Sequence, residues 1–511
     1  MNTTKRLISL LLALILALGC AAGASAESEK ENYEFTMMGN WGENGYVGEL
    51  WLDQLCDKLN LTINFDLPAA SSYEDALQLM IASAEYPDVV ILPDAWMSQT
   101  IFQEACEAGI FIDLADKLPN YENLMAHTAS FSWEALDIFN DGRIWGVPRS
   151  TMVRADGYCL RETWLENLGI EYNEGDYLTA DEFFDILYAF THNDPDGNGI
   201  DDTYGLVGYA DAEGNLITFL GQIFGIGDRD AWCDYDGEVI ALKYSKDLPN
   251  FKNYLAFANR CWEAGVIDPD GFSIDLSTSN QRWDNGMYGC RQMFPGNMRI
   301  RVPDDPSKAD TRCKFLPGVV EKEGDKYGYA NFATGIWYFW SITSKAEKPE
   351  RILEFFDYIL SDEQWTNVSA RGLEGVTFTK NADGSFDTSI QDKLTDEQKN
   401  NAPMQVILRR SDGAEFFVPI TYTPEERARI TKMIDVTLEN YIPALDRGYV
   451  PAIATDPAFI EYNAYMNEQI NKIIVGEVEV DEWDNILEGW YAAGGEEYVN
   501  DMRAYIASVN K

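Results

Sequence analysis

The 511-residue chain carries 85 acidic against 39 basic residues, a formal charge of −46. Such a surface repels phosphate backbones and anionic lipid, which excludes nucleic acid as a partner. Only two histidines are present, so histidine-based catalysis and multi-histidine metal sites are poorly supplied, whereas 14 Trp and 27 Tyr offer wide stacking area at small rotamer cost.

Lys5-Arg6, an apolar run from Leu7 to Leu18 and a set of small residues have the order of a secretory leader. The run is too short to span a bilayer. Two processing sites compete. Ala24-Ser25-Ala26 fits release after Ala26, making 1–26 a signal peptide; Ala17-Leu18-Gly19-Cys20 fits a lipobox, which leaves Cys20 as a lipidated terminus. Either way the protein is expected outside the cytoplasm, secreted or tethered to the outer face of the membrane, with its charge taken to −48 by loss of Lys5 and Arg6. Seven cysteines remain besides Cys20, none in a C-x-x-C pair.

Tyr33–Met38 alternates as a strand and ends in Gly39-Asn40-Trp41. A helix with Leu50, Trp51, Leu55 and Leu59 follows, then a strand at Thr62–Leu67. Ser71 with Glu74 predicts a capping box for a helix bearing Leu77, Met80, Ile81 and Ala84. Tyr86-Pro87 ends that helix, and Val89–Leu92 is a continuous apolar run, the pattern of a strand buried on both faces of a parallel sheet. Ligands of open α/β sheets sit beyond the carboxyl ends of the strands, where Asn40, Trp41, Asp94 and Trp96 stand. A carboxylate and an indole there suit hydroxyls and a flat, weakly polar ring; the plain alternative is a capping Asp and a buried Trp.

Ile144–Pro148 reads as a short strand leading into Arg149. From about 155 the register changes: RETWLENLG is a short helix, and Thr179-x-x-Glu182 caps another that runs to Phe190. Residues 333–343, ATGIWYFWSIT, read as a strand crossing back. Strand alternation places Trp337 with Phe339 on one face and Tyr338 with Trp340 on the other, so at most one pair faces a cleft. A helix at 348–360 and further helices at 424–441 and 455–475 lead to an aromatic C-terminus.

One motif has real spacing. In Asp194-Pro195-Asp196-Gly197-Asn198-Gly199-Ile200-Asp201-Asp202, oxygens fall at the first, third and fifth positions, a glycine turn at the sixth, the Ile200 carbonyl at the seventh and Asp202 at the ninth. This is the start of an EF-hand-type calcium loop. The twelfth position, usually a bidentate Glu, is Gly205. A solvated Asx/Gly turn is the competing reading; Ca2+ in a structural role is the expectation, with an affinity near the weak ~10⁻⁴ M class. No G-x-S-x-G, H-E-x-x-H or P-loop occurs, and with 85 carboxylates a pair at glycosidase spacing carries no information.

Taken in order, ALQLMIASAEYPDVVILPD, DGRIWGVPRS, LRETWLENLGIEYN, TADEFFDILYAFTHNDPDGNGIDD, GIWYFWSITSKAEKPERILEFFDYILSDE, RGLEGVTF, TPEERARI and GWYAAGGEEYVNDMRAY resemble the extracellular solute-binding proteins, family 1, that serve carbohydrate ABC importers. The resemblance implies an α/β, two-lobed periplasmic-binding-protein-like fold of type II, each lobe a doubly wound sheet flanked by helices, joined by a hinge. It divides the chain into a first lobe at 27–154 and 331–385 and a second at 155–330 and 386–511. It implies a monomeric, non-enzymatic protein that captures an oligosaccharide and delivers it to the importer's permease subunits. The loop Asp194, Asp196, Asn198, Ile200 and Asp202 then holds a structural calcium, and Thr203 stands where the family often has an acid. The implied ligand contacts are Asn40, Trp41, Asp94 and Trp96 after the first lobe's strands and, across the hinge, Arg149, Tyr158, Trp283 with Phe294–Asn297, and Trp337. A secreted carbohydrate-active enzyme and a peptide-binding protein of the same architecture are the alternatives. With Arg149 in a near-neutral cleft, neutral oligosaccharides are expected over uronates.

Overall fold

The computed structural model describes residues 30–40, 49–69, 72–150, 156–211, 213–226, 231–302, 308–325, 335–370, 372–382, 384–395, 407–411, 418, 422–439, 442, 444–446 and 449–509. Two sheets organise these residues. In chain order their strands are β1 (Tyr33–Met38), β2 (Leu61–Asp66), β3 (Val89–Pro93), β4 (Val147–Ser150), β5 (Gly157–Arg161), β6 (Tyr204–Leu206), β7 (Tyr288–Met293), β8 (Cys313–Leu316) and β9 (Ile336–Ile342).

The first sheet has the order β2-β1-β3-β9-β4. β1 pairs in parallel with β2 and β3, as the apolar run at Val89–Leu92 requires, while β9 runs antiparallel to both β3 and β4. Helices Glu49–Leu59, Tyr73–Ser83 and Pro349–Ile359 bury apolar residues in its core, the last with Ile352, Leu353, Phe355, Phe356 and Ile359. The helix at Tyr73 differs in its start from the expectation. Ser71 lies outside the described residues, and Ser72 takes the N-cap position without a side-chain cap bond.

The second sheet has the order β8-β5-β7-β6, with β5 antiparallel to both neighbours and β6 parallel to β7. Its strands alternate between two cores: Tyr158, Leu160, Cys290 and Leu316 pack on one face, and Cys159, Cys313 and Phe315 on the other. Both faces are covered, by helices Ala180–His192, Asn250–Glu263 and the C-terminal helices on one side and Pro424–Leu438 on the other. The Thr179–Glu182 capping box forms in full.

The two lobes are thus separate hydrophobic cores sharing one chain. The first core reaches beyond residue 385, where the sequence reading ended it. Ile407 and Leu408 are buried there, and Trp340 Nε1 donates to the Ile407 carbonyl at 2.7 Å, whereas Val418 belongs to the second lobe. The connections between cores run through 151–155, 326–334 and 412–417, outside the described residues.

Candidate functional site

β4 ends, and β9 begins, at the edge of the first sheet next to these connections, and the carboxyl ends of β1, β2 and β3 lie along the same edge. That rim collects Asn40, Asp66, Tyr73, Asp94, Arg149, Trp337, Tyr338 and Arg409. Tyr73 donates to the Ile91 carbonyl at 2.8 Å, tying its helix to the strand end. Asp94 opens a one-turn helix, Asp94–Ser98, directly after β3. Arg149 is 9% exposed, its guanidinium 5.9 Å from the Tyr338 ring, and burial pulls its pKa down to about 10.

The strict alternation expected of 336–342 does not hold. A register shift between Ile336 and Tyr338 in the pairing with β4 leaves both Trp337 and Tyr338 half-buried at the rim, while Phe339 to Ile342 are fully buried. A bulge re-aims side chains in this way. Beneath Trp337 lies a residue that sequence reasoning missed: Arg409 is 2% exposed, its guanidinium 5.0 Å from the Trp337 ring. Its neighbour Arg410 bonds the Leu360 carbonyl and Asp362, and Ser411 bonds the His127 carbonyl, so the segment is pinned on both sides. The only signal in the sequence was a pair of arginines after the apolar Val406-Ile407-Leu408.

On the other lobe, Asp156 follows the 151–155 connection into β5, and β7 and β6 end at the same edge. Six residue steps separate Ser150 from Asp156, so these two residues lie within roughly 20 Å of each other. Gln292 Nε2 donates to Asp156 Oδ2 at 2.6 Å here. Tyr209, Asp211, Glu213, Asn215 and Phe219, which follow β6, line a cavity of about 680 Å³ with Lys243, Tyr254, Asn467 and Asn471. That volume lies within the range of small-molecule sites, and the wall mixes aromatic rings with amides and hydroxyls.

Several expected contacts are core residues instead. Trp96 is 1% exposed within the first core. Tyr158 is fully buried on the central strand β5, its hydroxyl donating to the Phe219 carbonyl at 2.9 Å. Trp283 is 1% exposed between the guanidiniums of Arg161 and Arg291, 4.5 and 5.6 Å from its ring, and Phe294 is buried beside it. Each sits in a layer that both sheets fill with their largest rings, so none offers a face to a ligand. Asn297 is exposed on the turn Pro295–Asn297 against helix Pro424–Leu438. Trp41 and Cys20 lie outside the described residues.

The acidic loop turns back on itself through its own side chains. Asp194 adopts a positive φ of 47° and accepts the Gly199 N–H, and Asn198 reaches Asp196 at 2.8 Å and Asp202 at 3.3 Å. Partial burial and the nearby Asp194 and Asp202 carboxylates raise the pKa of Asp196. Crowded carboxylates of this kind favour a bound cation, so the donor set fits calcium. As they stand, no three His, Cys, Asp or Glu among the described residues are arranged as a metal centre.

No family model matches the chain. It is 23% identical over 444 residues to the polygalacturonan/rhamnogalacturonan-binding protein YtcQ of Bacillus subtilis, covering 84% of this chain and 82% of that one. It is 24% identical over 463 residues to the lipoprotein LipO of the same species, covering 84% of each. Its fold matches an EF-hand mutant of the Streptococcus pneumoniae ABC-transporter substrate-binding protein FusA in complex with fructo-nystose, with a TM-score of 0.66 at 18% identity, over 94% of this chain and 100% of that one. The fold is that of the two-lobed solute-binding proteins of ABC transporters. Over 84% of its length the chain is thus similar to a polygalacturonan/rhamnogalacturonan-binding protein and to a lipoprotein. No helix among the described residues is long and apolar enough to cross a membrane.

Proposed function

We propose that this protein captures an oligosaccharide outside the cytoplasm, between the first-lobe rim and the second-lobe edge, and delivers it to the permease of an ABC importer. The observation that supports this most is the rim itself. Trp337 and Tyr338 present ring surface, Arg149 and Arg409 back those rings, and Asp94 and Asn40 stand at the adjoining strand ends. A sugar presents an apolar C–H face to such rings and hydroxyls to such polar groups, and lobe closure buries both. Asp66 and Asp94 share this rim with the two guanidiniums, and that mixture of charges is the basis for expecting neutral oligosaccharides. The Asp194–Asp202 loop holds a structural calcium at a distance from the sugar. The protein acts as a monomer and binds without turnover.

A glycan array followed by thermal shift on the mature protein tests this. A neutral oligosaccharide that raises the melting temperature and is recovered intact is the expected result. Cleavage of the bound glycan indicates a carbohydrate-active enzyme, and a response to peptides alone indicates the peptide-binding alternative.

A further inference from the structure

Five of the seven cysteines among the described residues lie in the second lobe, and two of them meet. Cys159 on β5 and Cys313 on β8 are completely buried, with their Sγ atoms 3.0 Å apart. β5 and β8 are antiparallel neighbours in which Phe315 faces Cys159 and Arg161 faces Cys313. The two cysteines are therefore diagonal neighbours on one face of the sheet, in the core that also holds Trp283 and Phe315. A diagonal pair normally stands further apart than a directly opposed one, yet these sulfurs lean together to within about 1 Å of bonding distance (~2.05 Å). Cys290, on β7, packs on the opposite face, and the remaining sulfur neighbour of Cys159 is the thioether of Met293 at 3.5 Å. The pairing is thus selective.

We propose that Cys159 and Cys313 are joined by a disulfide in the mature protein, formed while the chain folds outside the cytoplasm. This rests on the extracytoplasmic reading of the leader and is independent of the ligand. Two S–H bonds break and one S–S bond forms, releasing two protons and two electrons. The electrons pass to the disulfide of an extracytoplasmic thiol oxidoreductase, which leaves as a dithiol. Formation belongs to folding because the finished core is closed to an oxidant, and because burial, with the adjacent Cys313, keeps the Cys159 thiol protonated and unreactive. Positions 154 apart in sequence are tied. β5 emerges from one inter-lobe connection and β8 leads towards another, so the bond fixes the roots of both to a single sheet and keeps the second lobe rigid while the lobes move.

The test uses full-length protein recovered from outside the producing cell, denatured in iodoacetamide without reductant and mapped by mass spectrometry. The expected result is five carbamidomethylated cysteines and one linked peptide pair, Cys159 with Cys313, with all seven modified after reduction. The double variant Cys159→Ser/Cys313→Ala should keep glycan affinity within about twofold and melt at the same temperature with or without reductant, whereas the parent loses several degrees on reduction. Seven modified cysteines without reductant, or a link through Cys290, overturns the proposal. A double variant that fails to fold leaves the mapping of the parent to decide.

Discussion

Replacing Trp337 by alanine removes the largest ring at the first-lobe rim while leaving the strand that carries it in place. Trp337 is half-buried, and the Arg409 guanidinium lies 5.0 Å from its ring. Loss of that cation–π contact costs folding on the order of 0.5–2 kcal/mol. The loss in binding is larger in effect: an aromatic anchor contributes roughly 1–3 kcal/mol, which is about a 5- to 150-fold rise in Kd. Trp96→Ala is the control with the opposite signature. That indole is 1% exposed in the first core, and its removal costs about 3–5 kcal/mol of stability through lost burial and a cavity. Titration calorimetry with the glycan found by screening, alongside urea denaturation of each variant, separates the two quantities. A folded Trp337→Ala protein that binds its glycan as tightly as the parent refutes the placement of the site. So does a Trp96→Ala protein of parental stability that no longer binds.

Millimolar calcium over a ~0.1 mM site stabilises the folded state by about 1.4 kcal/mol; Asp196→Asn should abolish this increment without changing glycan affinity, and equal melting temperatures in EGTA and calcium would remove the ion from the account. The ion pair with Arg301, chiefly, holds the Glu426 pKa down to about 2. Because the folded value is depressed, this pair stabilises the protein above the unfolded carboxylate range and is lost as pH falls from about 4.5 through 2. The pair is partly exposed, so Glu426→Gln should cost under ~1 kcal/mol at pH 7 and flatten acid unfolding across that window; an unchanged acid profile would count against it. Glycan affinity should change less than about twofold between 20 and 300 mM salt, since no charge pair forms on binding; a steep salt dependence with an oligouronate as the only ligand would show a basic site instead.

The two-lobed fold was legible because it rests on local grammar. A capped helix at Thr179, an apolar run at Val89 and an amphipathic helix at Pro349 each read correctly alone, and their order carried the architecture. The strand ends were legible for the same reason, so Asp94 and Arg149 fall on the rim. The indoles were not. A tryptophan after a strand scores alike whether it lies over a cleft or under a helix, and for Trp96, and likewise for Trp283 on its helix, burial was decided by elements distant in sequence. The bulge that frees Trp337 is a property of its pairing with β4, nearly 190 positions earlier. Arg409 was hidden for the same reason: only the fold returns residues 407–411 to the first lobe.

Separate cores also determine how binding can move this protein. Among the described residues each lobe completes its hydrophobic interior without the other, so no shared core holds the lobes in one arrangement. The balance between open and closed forms must then come from the ligand's additional contacts in the closed form. Shifting a population from mostly open to mostly closed takes about 5.5 kcal/mol of differential binding, a large part of the roughly 8 kcal/mol available to a micromolar ligand. A sugar that touches only the Trp337–Tyr338 rim has nothing to contribute to that difference. One long enough to reach the opposite edge, where Gln292 and Asp156 are held together, supplies it at the second lobe. Chain length would therefore be read by closure rather than by the depth of any single pocket, which fits a rim built from two half-exposed rings instead of an enclosed socket.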